Sequence, residues 1–226
     1  MKILNVIRKT IKILQMQLKN DYWYFESALS KKFCEELILY GNQKNKMIGT
    51  VGAIPPTFKK KELSTKDKKE LNKIRKSDVV FLDDLFIFKT IQPYIHAANK
   101  NAGWNFEWDH SETSQFTTYN KNQFYDWHTD GSHNVYESIN PNYVGKMRKL
   151  SVTVSLSDPK DYKGGELRFD LSNPKQKNKR IITTVENIKP QGSIVVFPSF
   201  LWHRVTPVTK GTRYSLVIWS LGKPWK

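Results

Sequence analysis

The residues able to do chemistry in this chain fall in two blocks, YNKNQFYDWHTDG from Tyr119 to Gly131 and FPSFLWHRVTPVTKGTRYSLVIW from Phe197 to Trp219. Together they offer two imidazoles and a carboxylate, His128, Asp130 and His203. Arg213, a permanently charged guanidinium, follows ten residues after the last histidine. Two histidines and one carboxylate are the donors with which a mononuclear non-haem Fe(II) site holds one face of its metal and leaves the other open.

A His-x-acid triplet alone decides nothing. With 5 His and 21 Asp+Glu in 226 residues, roughly 0.5 such triplets arise by chance. The flanking pattern adds the weight. In an extended strand His128 and Asp130 project to one face while Thr129 points away. Gln123 to Asp130 is rich in aromatic residues and bounded by Asn122 and Gly131, which predicts a strand. His203 follows the apolar run SIVVFPSFLW, a buried strand interrupted near its end by Pro198. Beyond a Lys210-Gly211 turn, TRYSLVIW alternates again. Arg213 and Ser215 then share a face, a bidentate carboxylate fork with a hydroxyl beside it.

The elements that must position these groups follow from periodicity. Strands are expected from Trp104 onward: WNFEWD, SQFTTYN, QFYDWH, KLSVTVSLS, ELRF, IITTV, SIVVF and TRYSLVIW. Before them, Ser30 can cap a helix through Phe33, Leu37 and Tyr40 that stops near Gly41. Asp83 or Asp84 can open another through Ile91 and Ile95, with Pro93 expected to kink or split it before Gly103. The N-terminal MKILNVIRKTIKILQMQLKN is apolar but interrupted by Arg8, Lys9 and Lys12. It reads as an amphipathic helix, or a helix running into a strand near Ile11 to Leu18, with neither a signal-peptide core nor a membrane span. Thr57 to Ser77 is charge-dense, a surface segment or short exposed helix, and Leu171 to Arg180 is an exposed connection. The pattern predicts a mainly β protein with supporting helices around a double-stranded β-helix of the jelly-roll or cupin-like kind. One domain is expected over residues 1–226, with helical and strand support over 1–103 and the jelly-roll core over about 104–222.

The chain resembles the Fe(II)/2-oxoglutarate-dependent dioxygenases, in their prolyl 4-hydroxylase-like branch, over roughly Tyr22 to Trp219. The resemblance rests on the RKSDVVFLDD run from Arg75, the QFTTYNKNQFYDWHTDG strand, the GGELRF turn and strand at Gly164, and the block that ends at Trp219. It implies His128, Asp130 and His203 as iron ligands and Arg213 as partner of the distal carboxylate of 2-oxoglutarate. It also implies Tyr119 as a hydrogen-bond donor to that cosubstrate, with Ser215 supporting the distal carboxylate. Arg75 and Ser77 resemble an Arg-x-Ser pair associated with peptide substrate, and Tyr125 is either a further substrate contact or a packing aromatic. The implied cofactors are Fe(II), 2-oxoglutarate and O2, with ascorbate as a reductant.

The implied reaction is hydroxylation of a C–H bond, first of a prolyl residue in a peptide or protein, with 2-oxoglutarate decarboxylated to succinate. Because Asp130 fills the position a halide would need, hydroxylation is favoured over halogenation. The alternatives are the same chemistry on a nucleobase, a free amino acid or another small molecule, or a non-catalytic jelly-roll binding module. A formal charge of +16 keeps nucleic acid open as a partner. No zinc finger, glycine-rich nucleotide fingerprint or RNA-recognition motif accompanies it. His96, His110 and His133 read as surface or structural residues, and Trp127, Trp202 and Trp219 as core or rim packing. A single cysteine, Cys34, excludes an internal disulfide and fits a cytoplasmic location.

Overall fold

The computed structural model describes residues 18–51, 64–131, 134–172 and 180–225. The expected N-terminal helix, His133, the first part of the charge-dense stretch and most of the 171–180 connection lie outside these residues.

Among the described residues the strands are, in chain order, β1 (Trp23–Phe25), β2 (Met47–Ile48), β3 (Arg75–Lys76), β4 (Asp78–Leu82), β5 (His110–Ser111), β6 (Ser114–Tyr119), β7 (Phe124–His128) and β8 (Met147–Ser155). They continue as β9 (Tyr162–Gly164), β10 (Leu167–Asp170), β11 (Ile182–Thr184), β12 (Ile194–Pro198), β13 (His203–Val205), β14 (Val208–Gly211) and β15 (Arg213–Gly222). The larger sheet runs β1-β12-β8-β15-β6-β4-β2, with β5 also paired to β15. Its axis is the antiparallel β8–β15 pair, in register from Ser215↔Ser155 to Gly222↔Met147 around one irregularity. The smaller sheet runs β11-β10-β13-β7-β3, and β14 and β9 form a separate ribbon. The protein is mainly β with a double-stranded β-helix fold, as the strand pattern predicts. β1, β2 and β4 come from the N-terminal half, so residues expected as support are strands of the larger sheet itself.

Helix α1 (Lys31–Asn42) begins where Ser30 Oγ accepts from the Phe33 amide at 3.1 Å, satisfying one donor that the first turn leaves free. Helix α2 (Thr65–Ile74) is the described part of the charge-dense stretch, a short helix capped by Ser64. Helix α3 (Leu85–Asn101) buries the stripe Ile87, Ile91, Ile95 and Ala98 against the sheet, at the spacing of one helical face. Of the kink or split expected at Pro93, the split does not occur, and the helix runs through it. Pro93 and Lys89, whose carbonyl loses its partner, both lie on the exposed side, where water can replace the missing bond.

The expected WNFEWD strand is also absent. Trp104 and Phe106 pack into the helix-side core, and both backbone polar groups of Phe106 bond the Asn99 side chain at 2.9 Å in place of a ladder. Asn105, at φ +52, turns the chain there.

Candidate active site

The two histidines arrive on neighbouring strands of the smaller sheet and face each other directly in register, His203 on β13 opposite His128 at the end of β7. Strand β7 stops at His128, so Asp130 projects from the loop that follows rather than from the strand expected for it. Its carboxylate reaches both rings, 3.6 Å from His128 Nε2 and 3.5 Å from His203 Nε2. The other ring nitrogen of each histidine is tied to the main chain: Nδ1 lies 2.7 Å from the Asp126 carbonyl in His128 and 2.9 Å from the Leu201 carbonyl in His203. With Nδ1–H donating, both Nε2 lone pairs converge with a carboxylate oxygen, and the donor atoms of the three residues lie within 4.8 Å of one another. Burial, then the neighbouring His203, push His128 down to about 3, which keeps its ring neutral and available as a ligand. Burial opposes ionisation of Asp130, but His203, His128, Arg148 and a Ser151 hydrogen bond outweigh it and hold the carboxyl at about 2. Imidazole nitrogens with an ionised carboxylate are donors that fit Fe(II).

These residues line a cavity of ≈ 280 Å³ between the sheets. Its far wall is β15, where alternation turns Arg213, Ser215, Val217 and Trp219 inward. Arg213 is buried and donates from Nη1 to Ser215 Oγ at 3.2 Å. Its guanidinium lies 5.6 Å from the ring centre of Tyr119, its partner in the β6–β15 ladder. Burial raises the Tyr119 phenol above its ordinary value, so it stays a neutral donor. No described carboxylate forms an ion pair with Arg213. A buried guanidinium without an acid is a costly group that fits an anionic ligand. Gly165, at φ +63, makes room for it, since a Cβ there would lie 2.8 Å from Arg213 Cδ. The GG pair is therefore more than the turn that its sequence suggests.

Arg75 and Tyr125 also line the cavity, whereas Ser77 sits behind Arg75 and accepts from its Nε at 2.8 Å. Tyr125 stacks on His128 with ring centres 3.5 Å apart, and burial pushes its phenol up to about 12. His96 stacks on Trp108 and His110 packs against Tyr143, both apart from the triad.

One pair had no signal in the sequence. Arg148 donates to both oxygens of Glu112, at 2.6 and 2.7 Å, lies over the Trp219 ring and reaches the Asp130 carbonyl at 3.3 Å. It braces the loop that carries Asp130. Trp219 is accordingly part of the cavity wall as well as packing.

Residues 114–221 match the sequence model of the 2OG-Fe(II) oxygenase superfamily. A PKHD-type hydroxylase of Synechococcus sp. (strain JA-2-3B'a(2-13)) is 40% identical over 70 residues, 31% of this chain and 27% of the relative. A PKHD-type hydroxylase of Escherichia coli O157:H7 is 35% identical over 107 residues, 47% of this chain and 41% of the relative. The chain thus spans less than half the length of these curated relatives. Among solved structures, a viral collagen prolyl hydroxylase of Paramecium Bursaria Chlorella virus-1 superposes with a TM-score of 0.57 at 19% identity, over 90% of this chain and 97% of that one. A Trichoplax adhaerens prolyl hydroxylase in complex with a hypoxia inducible factor peptide fragment gives 0.59 at 17% identity, over 97% and 90%. These likenesses establish the fold, and the superfamily implies Fe(II), 2-oxoglutarate and O2 as its cofactors. Residues 114–221 are thus similar in sequence to the 2OG-Fe(II) oxygenase superfamily, and the chain shares its fold with solved prolyl hydroxylases.

Proposed function

We propose that this chain is an Fe(II)- and 2-oxoglutarate-dependent dioxygenase that hydroxylates a prolyl residue of a peptide or protein, with 2-oxoglutarate giving succinate and carbon dioxide. One observation carries the proposal: two imidazoles and a carboxylate converge in the same cavity as a buried arginine that has no acid of its own among the described residues. His128, Asp130 and His203 would hold the metal. Arg213, backed by Ser215, would pair with the distal carboxylate of the cosubstrate, with Tyr119 donating beside it. Bound iron and cosubstrate would supply the oxidising chemistry. The protein's own part is to hold these groups and to present an apolar wall, Val79, Phe81 and Val217, that excludes water and suits an aliphatic target.

A prolyl target is supported by the printed names of the hydroxylase relatives and of the structural neighbours, one of them bound to a peptide. We further infer a single domain, because strands from both halves of the chain share the larger sheet. A cytoplasmic location is supported by the lone free thiol of Cys34. No helix among the described residues is long and apolar enough to cross a membrane.

Anaerobic titration of the metal-free protein with Fe(II) and 2-oxoglutarate tests the chemistry. A metal-to-ligand charge-transfer band is expected, then succinate on admission of oxygen, with more succinate when a prolyl peptide is present. No band and no succinate would leave a jelly-roll binding module.

A further inference from the structure

Among the described residues three arginines line the cavity, and two have an anion assigned. Arg148 is paired with Glu112, and Arg213, on the function proposed above, takes the cosubstrate. Arg75 is left over, and we propose that it receives a carboxylate of the substrate.

Arg75 is only 6% exposed, and no described carboxylate lies within ion-pair distance of it. Its Nη2 is buried without any hydrogen-bond partner. The rest of the guanidinium is fixed. Nε donates to Ser77 Oγ at 2.8 Å, Nη1 donates to the Thr50 carbonyl at 2.9 Å, and the flat face lies 4.5 Å from the ring centre of Tyr125. Gly49 closes the back: a Cβ there would lie 2.3 Å from Ser77 Oγ and 2.7 Å from Arg75 Nε, so only glycine lets the strand pass so close. A cation held on three sides with one donor edge unused is a preorganised anion receptor. Leaving that edge empty costs free energy that an arriving carboxylate would offset.

Charge in the cavity points the same way. Asp130 is the one carboxylate among the described lining residues, and it is engaged by the two imidazoles. Iron carries two positive charges and 2-oxoglutarate two negative ones, so they cancel. Counted together, Asp130 and Glu112 balance two of the three arginines, which among the described residues leaves one positive charge uncompensated until substrate enters.

The position of Arg75 narrows the substrate class. The Tyr125 ring touches both groups, with the Arg75 guanidinium 4.5 Å from its centre and His128 stacked on it at 3.5 Å, so an anion on Arg75 sits close to a proposed metal ligand. The carboxylate therefore belongs to the residue being oxidised or to its neighbour. It is the α-carboxylate of a free or C-terminal proline, or an acidic side chain next to an internal one. A neutral peptide carbonyl on Nη2 is the rival.

The test uses full-length protein loaded with Fe(II) and 2-oxoglutarate without oxygen. Binding is read calorimetrically for matched pairs: a peptide ending in proline and its C-terminal amide, an internal Glu-Pro peptide and its Gln-Pro analogue, and free L-proline against prolinamide. In at least one pair the acid should bind about 10- to 100-fold tighter than its neutral partner, the range expected for a hydrogen bond to a charged group. The pair that shows the preference identifies the source of the carboxylate. Arg75→Gln should abolish the preference, and Arg75→Lys, which keeps the charge but loses the fork, should retain part of it. Equal binding of acid and amide in every pair, no saturable binding of any acid, or a preference that survives Arg75→Gln overturns the proposal. If the glutamine variant fails to fold, the wild-type ratios and the lysine variant still decide. A charge-transfer band in the wild type shows that metal and cosubstrate are seated, so failure with the band present counts against Arg75 alone. Absence of the band counts against the function on which the proposal rests.

Discussion

The two faces of the larger sheet are made by the same strands and have opposite chemistry. Toward the helices, Phe116, Leu150, Val152, Val154, Leu216 and Ile218 join the stripe of α3 in a core of apolar side chains. Toward the smaller sheet, β6, β8 and β15 turn Gln115, Thr117, Ser151, Thr153, Arg213 and Ser215, all buried and polar, while β12 adds Val195 and Phe197 to a second apolar cluster. One face holds the sheet together, and the other spends burial on groups that need partners. The comparison teaches that stability and chemistry are separable here by the parity of residue number along a strand.

Substitutions can break or sharpen that separation. The largest effect is expected from Asp130→Ala, which should abolish iron-dependent succinate formation while circular dichroism and thermal melting of the metal-free protein stay close to wild type. Wild-type turnover in this variant would remove Asp130 from the ligand set. On the opposite face, Ile91→Ala should cost about 2–5 kcal/mol in denaturant unfolding, because it opens a cavity in a fully buried stripe. Whatever fraction remains folded should bind 2-oxoglutarate with unchanged affinity, and a large change would show that the two faces are coupled. Arg213→Ala should raise the 2-oxoglutarate requirement about 10- to 100-fold without weakening iron binding. Gly165→Ala should do the same more mildly, adding about 1–2 kcal/mol of backbone strain at its left-handed φ. An unchanged requirement in both variants would mean that Arg213 serves packing.

Much of this was legible because it depends on local periodicity. Arg213 and Ser215 share a face through strand alternation alone, and the Ser30 cap and the Ile87–Ile91–Ile95 stripe are written in adjacent turns. The parts that escaped depend on distant pairings. Glu112 meets Arg148 across 36 positions, and Arg75 meets the Thr50 carbonyl across 25, through strands whose adjacency no local pattern encodes. Gly49 matters only because Arg75 and Ser77 happen to lie against it. The missing WNFEWD strand failed for a related reason: its aromatic alternation is real, but Asn99 satisfies its backbone before a neighbouring strand can. Asp130 lies just past the strand that was expected to carry it, which the His-x-Asp spacing cannot distinguish from a place within it.

His128 and His203 stand on the smaller sheet and Arg213 on the larger one. The gap between the sheets therefore acts as a ruler. A keto diacid one methylene shorter or longer than 2-oxoglutarate could satisfy both ends only if the sheets slid or spread. The side chains packed between the sheets, Leu167, Phe169 and Val205 against Val195 and Phe197, resist that movement. Selectivity for chain length would then be a mechanical property of the barrel rather than of any single side chain.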